Sequence, residues 1–279
     1  MTKSIWSLLF RCKSFAVYFL KSKTKFDIHS PLVFDFICNV LEEDKWYYAF
    51  DDLEKVRTVL LKNEQLLEIT DFGAGSQVLK THKRKIKDIA ANSLSARYFC
   101  QILFSLVHWL KPPAVLELGT SLGLSTLYLA KPNKKSKITT IEGCKQIADK
   151  AEPLFRLFHA DNIQLVNGNF DDVLEKTLKE QGKISLFVID GNHRKEATLR
   201  YFKQCLSSAT ENAVFVFDDI YWSKEMKEAW DEIKLHPKSK LTIDIFQFGL
   251  VFLHNEVLEK QHFTLIDCKY KFWRTGLFA

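Results

Sequence analysis

No two cysteines in this sequence are spaced CxxC, and no cysteine–histidine cluster occurs; the six cysteines lie at 12, 38, 100, 144, 205 and 268. That absence argues against a disulfide framework and against a zinc centre. It leaves reduced thiols and a cytoplasmic protein as the expectation. A long apolar run is missing too. The first 20 residues are greasy, but Arg11 and Lys13 divide them. The stretch is too short for a membrane span and lacks a clean signal-peptide core. There is no internal repeat and no low-complexity tract. Acid is absent from residues 1–25, which hold Lys3, Arg11, Lys13, Lys21, Lys23 and Lys25. Those residues equal the whole formal excess of +6, so the remainder is balanced despite a second basic cluster, "KTHKRKIK", at 80–87. The basic arm suits packing on the rest of the protein, or peripheral contact with a membrane or nucleic-acid surface.

What is present is 279 residues, enough for one α/β domain and an extension. Residues 1–110 read as a mainly helical N-terminal extension, a candidate substrate or lid region. In "HSPLVFDFICNVLEE", Ser30 is a natural N-cap and Pro31 suits the first helical position. "SARYFCQILFSLVHWL" is an apolar helix stopped by Pro112 and Pro113. Residues 111–279 change texture. Short apolar strands ("AVLELG", "KITTIEG", "NIQLVNGNF", "ISLFVIDGN", "AVFVFDDI") alternate with helical segments. That pattern predicts a mostly parallel, doubly wound sheet covered on both faces. The tail, "LTIDIFQFGLVFLHN" and then "HFTLIDCKY", leaves no room for crossover helices and reads as antiparallel strands.

In such sheets ligands sit at the carboxyl ends of the strands. Those ends carry Glu117 and Gly119, Glu142 and Gly143, Asn169 and Phe170, Asp190, and Asp218 and Asp219. Gly119 and Gly123 permit a tight turn and close backbone approach. Ser125 opens a helix whose N-terminal amides attract a carboxylate. Glu142 follows Gly123 by 19 residues (142 − 123), near the spacing of an acid that holds ribose hydroxyls. A second acid-and-glycine turn, "LEITDFGAGSQ" at 67–77, precedes a polar, basic stretch and no ribose acid. It reads as a glycine-bent loop before the core domain, either a cover for the site or a surface turn. The spacing at 119–123 is GxxxG and not G-x-G-x-x-G, so the middle glycine that admits a pyrophosphate is missing. A cofactor without phosphates would not need it.

"VLELGTSLGLST" resembles the class I S-adenosylmethionine-dependent methyltransferases, and within them the catechol and caffeoyl-CoA O-methyltransferase branch, whose pattern is E-[LI]-G-x-x-x-G-[YF]-S. Here Leu124 replaces the aromatic. The resemblance runs from about 112 to 255 and implies a Rossmann-like, seven-stranded sheet with its last strand antiparallel. It implies S-adenosyl-L-methionine as cofactor, bound around Glu117, Gly119, Thr120, Ser121, Gly123 and Ser125, with Glu142 and Gly143 at the ribose. Gly168, Asn169 and Phe170 would line the adenine, and Asp190 would border the cofactor. It also implies a divalent cation, Mg²⁺ or another, on Asp190, Asp218 and Asp219, although Asp219 replaces the asparagine of that pattern. The branch places a catalytic lysine three residues after the first metal aspartate. This chain has His193 there, a group suited to accept a proton near neutrality.

The expected activity is methyl transfer to a small-molecule hydroxyl. Three alternatives compete. A nucleic-acid methyltransferase would use the basic N-terminal region for phosphates, but no N-P-P-Y-like motif and no Pro-Cys nucleophile is present. A non-catalytic cofactor-binding module would need no acceptor. An NAD oxidoreductase conflicts with the GxxxG spacing. Neither the acceptor nor an oligomeric state is written in the sequence.

Overall fold

A computed structural model describes residues 2–70, 81–254, 259–271 and 273–274. Ten strands among them form a two-stranded hairpin and a mostly parallel sheet of eight. The chain divides into two compact units, Glu43–Ile184 and Met1–Glu42 with Ser185–Ala279.

The second of these begins with helix α1 (Thr2–Lys21) and continues through α2 (Pro31–Phe36). Ser30 occupies the N-cap of α2 and Pro31 its first turn, as the sequence predicts. The helix loosens into a π turn at Ile37–Leu41.

The Glu43–Ile184 unit opens with α3 (Tyr48–Leu60). It then adds to the mainly helical expectation a hairpin that the sequence reading did not contain: β1 (Leu66–Thr70) and β2 (Thr81–Lys85) pair antiparallel. Leu67 and Ile69 are buried while Leu66 and Glu68 are exposed, the alternation of a half-buried strand. Helices α4 (Ile86–Ser93) and α5 (Arg97–Leu110) follow. Left-handed Lys111 ends α5 just before the two prolines. The parallel core then runs β3 (Ala114–Leu118), α6 (Leu124–Ala130), β4 (Lys137–Glu142), α7 (Lys145–Leu157), β5 (Ile163–Asn167) and α8 (Phe170–Gln181). Within it β4 lies between β3 and β5, parallel to both. β3 and β4 are buried along almost their whole length, and β5 is only partly so, as a strand at the sheet's edge should be.

The remaining strands and helices are β6 (Ile184–Ile189), α9 (Lys195–Cys205), β7 (Ala209–Asp218), α10 (Lys224–Leu235), β8 (Leu241–Asp244), β9 (Phe248–Phe252) and β10 (Gln261–Thr264). Their order is β10-β8-β9-β7-β6. The antiparallel strand of the tail is β9, paired with both β7 and β8. β10 is an eighth strand beyond the expected seven, and it runs parallel to β8 instead of antiparallel. It gains a partner from the segment after α1, where the Lys23 N–H donates to the Thr264 carbonyl at 2.8 Å. A buried aromatic core holds this unit together. Phe187 stacks on Phe215 at 4.3 Å, and Trp230 lies under Gly249, where an added Cβ would meet its ring at 2.6 Å.

Candidate functional site

The glycine turn follows β3. The Gly119 and Thr120 N–H groups both donate to the Ile141 carbonyl, at 3.0 and 3.2 Å, which ties the turn to the neighbouring strand. Three of its residues take positive φ: Gly119 (109°), Ser121 (48°) and Gly123 (84°). Gly123 is needed twice over. Its φ is left-handed, and a Cβ there would sit 2.8 Å from Phe155 Cε1 and 3.0 Å from Ala151 Cβ, so the turn presses directly on α7.

Glu117 is fully buried and saturated. Its carboxylate accepts from Ser125 Oγ at 2.7 Å, from Thr126 Oγ1 at 2.5 Å and from Thr140 Oγ1 at 2.6 Å. Thr140 also shares a hydrogen bond of 2.6 Å with Thr120 Oγ1. Such a network satisfies a buried charge by charge-assisted bonds. The side chain of Ser125, and that of Thr120 through Thr140, thus point into the fold to hold Glu117. The sequence offers no direct signal for Thr126 or Thr140 as partners; they arrive from a helix and a strand, 9 and 23 residues away.

Glu142 ends β4 half-buried. Its carboxylate accepts from the Ser121 N–H and from the Cys144 N–H, both at 2.9 Å. Burial raises its pKa, against the pull of backbone N–H groups from Cys144, Ser121 and Gly143. Ser121 Oγ is buried with no hydrogen-bond partner among the described residues. The next strand end joins the same place: the Gly168 N–H donates to the Glu142 carbonyl at 3.0 Å, and so does Asn167 Nδ2 at 2.8 Å. Asn169 caps α8 by accepting from the Asp171 N–H, and Phe170 is half-buried in its first turn. Gly119, Thr120, Ser121, Gly123, Ser125, Glu142, Gly143, Gly168, Asn169 and Phe170 therefore gather at the carboxyl ends of β3, β4 and β5, with Glu117 beneath them.

The hairpin β1–β2 docks on this same edge. The Glu68 N–H donates to Gln146 Oε1 at 2.6 Å. Leu67 and Ile69 pack in one cluster with Leu122 of the glycine turn and with Cys144 and Ile147 beyond Glu142. The residues between the two strands, 71–80, include all of "DFGAGSQ" and lie outside the described residues. Much of the basic cluster is neutralised locally: Lys85 and Lys87 pair with Glu64 at 2.7 and 2.5 Å, and Lys83 with Glu68 at 3.8 Å.

The other acids belong to the second unit. Asp190 follows β6, and His193 Nε2 lies 3.8 Å from its Oδ1. Asn192 has φ 51°, and its Nδ2 donates to Tyr201 Oη at 3.2 Å while its buried Oδ1 has no partner among the described residues. Asp218 ends β7 buried, with Oδ1 likewise unpartnered. Burial pushes its pKa well up, and the charges of Asp190 and Asp219 push it further; Asp190 also hydrogen-bonds it in its protonated form. Asp219 takes φ 55° and is raised by burial, against the charges of His193 and Arg11. Neither aspartate caps α10. Ser223 does so, accepting from the Met226 N–H at 3.1 Å.

A divalent cation wants several oxygens converging on one point. Among the described residues the group of three ligand atoms lying within 4.8 Å of one another is that of Glu42, Asp267 and Cys268. It already has its cations: Lys25 pairs with Glu42 at 2.8 Å and Lys269 with Asp267 at 2.5 Å. Asp190, Asp218 and Asp219 do not form such a group. Their carboxylate oxygens do not converge on one point as the cation requires, and this donor set does not fit it.

A methyltransferase-domain family matches residues 116–220. No curated protein matches the sequence. Among solved structures, cofactor-bound Rv0187 from MTB is 20% identical at a TM-score of 0.53, covering 82% of this chain and 99% of that one. The O-methyltransferase TomG from Streptomyces achromogenes, involved in tomaymycin synthesis and solved in complex with SAM, is 14% identical at 0.54, covering 80% and 95%. The SAH-bound Podospora anserina methyltransferase PaMTH1 is 15% identical at 0.52, covering 75% and 98%. At these identities the likeness is one of fold.

Proposed function

We propose that this chain, which matches a methyltransferase-domain family over residues 116–220, transfers a methyl group from S-adenosylmethionine to a hydroxyl of a small molecule. The observation that carries the reading is Glu142, held by the Ser121 and Cys144 N–H groups at the end of β4. Held in this way, the carboxylate keeps free lone pairs for a vicinal diol. The unpartnered Ser121 Oγ and the close-pressed turn at Gly123 fit a nucleoside with no phosphates beside them. The strand end at Gly168, Asn169 and Phe170 offers an aromatic edge for adenine. When bound, the cofactor supplies a methyl already activated on a sulfonium and leaves as a neutral thioether.

What remains for the protein is to align the acceptor and remove its proton. We assign that proton to His193, whose ring stands 3.8 Å from Asp190; the carboxylate stabilises the imidazolium that results. No step is drawn through a metal ion, because the aspartates do not converge as ligands.

Calorimetry with S-adenosylmethionine and S-adenosylhomocysteine is the direct test, and absence of heat from folded protein would end the proposal. With an acceptor found by following S-adenosylhomocysteine release across a panel of hydroxyl compounds, His193→Ala is expected to lower turnover by about 10²–10⁴-fold. Its affinity for S-adenosylmethionine should not change. Full turnover in that variant would remove His193 from the mechanism.

A further inference from the structure

Helix α1 turns its more apolar side outward. On the side facing the protein, the buried Tyr18 hydroxyl donates to the Leu265 carbonyl and its ring lies 5.3 Å from Phe246. Phe15 meets Phe246 edge-on at 5.0 Å, and the Arg11 guanidinium sits 5.0 Å above Trp222. At 3.6 residues per turn, Ile5, Trp6, Leu9, Val17 and Leu20 fall on the opposite side. They are solvent-exposed, Trp6 at 71% and Leu20 at 78%. Lys13 is the single charge among them. An exposed stripe of this size on one helix marks an interaction surface.

Its charge setting decides what it fits. Asp27 is the first acid in the chain, and six basic residues precede it. Lys13, Lys21 and Lys23 are exposed. Pairing two copies of α1 would bring two such arms together with no acid on either to offset them. An anionic lipid surface offers phosphates to the lysines and an acyl boundary to the stripe, and interfacial tryptophan is favoured there. The helix is 20 residues long, about 30 Å at 1.5 Å per residue, so it can lie along such a surface. No helix among the described residues is long and apolar enough to cross a membrane.

We propose that α1 is a membrane-surface anchor, lying flat on anionic phospholipid with Ile5, Trp6, Leu9, Val17 and Leu20 in the headgroup–acyl boundary. The anchor requires no catalysis, so its test is separate from that of methyl transfer. Full-length protein is floated with vesicles of phosphatidylcholine alone and of phosphatidylcholine mixed with phosphatidylglycerol. The expected result is flotation with the mixed vesicles, weakened by salt, and none with the neutral ones. Leu9→Glu should cut the bound fraction by tenfold or more, since burial of a leucine side chain is worth roughly that much. Lys13→Glu should cut it less. Leu157→Glu, on an exposed apolar residue of another helix, should leave it unchanged, and all three variants should keep the parent melting temperature.

Equal flotation with both vesicle types, or with neither, would overturn the anchor. So would equilibrium sedimentation showing a dimer that Leu9→Glu dissociates, because the stripe would then belong to a second copy.

Discussion

Glu142 and Asp218 each end a strand, and burial raises the pKa of each, but their neighbours act in opposite directions. Around Glu142 stand backbone N–H groups, which favour the ionised form and pull the pKa back. Asp218 has one such donor, from Asp219, and beside it two further carboxyls whose charge adds to the effect of burial. Glu117, deeper than Glu142, accepts from three hydroxyls on its two oxygens. The difference shows that a buried acid at a strand end is not one kind of object. Donors favour its ionised form and leave it able to receive a ligand's hydroxyls. Like charges make it a carboxyl that holds its proton.

The largest effect is expected at the turn that supplies the donors. Gly123→Ala puts a Cβ at 2.8 Å from Phe155 with a φ of 84°. Left-handed strain and overpacking together should cost about 3 kcal/mol, measurable by urea denaturation, with binding of S-adenosylmethionine lost alongside. Next comes the anchor under the turn. Glu117→Gln withdraws the charge from three hydroxyl donors and should cost about 2–3 kcal/mol. An unchanged denaturation midpoint would mean that the hydroxyl network does not hold a charge. Smaller again is Glu142→Gln, which keeps the fold but weakens the acceptor for the ribose. Calorimetry should register a loss of about tenfold in affinity for S-adenosylmethionine, the effect of one charged hydrogen bond.

The smallest effect is expected at Asp218. Folded Asp218 holds its proton to higher pH than the unfolded chain does. It therefore costs stability progressively as pH rises from about 4 through its raised value, and the cost is constant above that. Asp218→Asn cannot ionise, so its stability should fall less across that window than the parent's. The variant should match or exceed the parent at neutral pH. If the two pH profiles run parallel, folded Asp218 does not hold its proton beyond the range of the unfolded chain.

Much of the fold could be read from the residues. Apolar strands alternating with helical segments from 114 onward, the stop at Pro112 and Pro113, and the helix after Ser30 and Pro31 rest on local periodicity and on backbone chemistry. The β1–β2 hairpin carried its own signal, Leu67 and Ile69 alternating with Leu66 and Glu68, but the run is only five residues and the basic strand opposite it resembles a solvated charge run. β10 is shorter still, four residues with an exposed, polar start, and its place is set by its partner β8. In the site, Gly119, Gly123 and Glu142 could be picked out because turn geometry and spacing need those residue types. Thr126, Thr140 and Cys144 could not, since a hydroxyl or an amide becomes a partner only when folding brings it to the carboxylate.

By itself, then, the sequence determined the order of elements, the position of the glycine turn and which strand ends bear acids. Each of these depends on residues close together along the chain. The tertiary structure decided which acids have donors and which have rivals, and which side of α1 faces out. Those outcomes depend on groups tens of residues apart in the chain, and hydrogen bonds and charges act over distances in space.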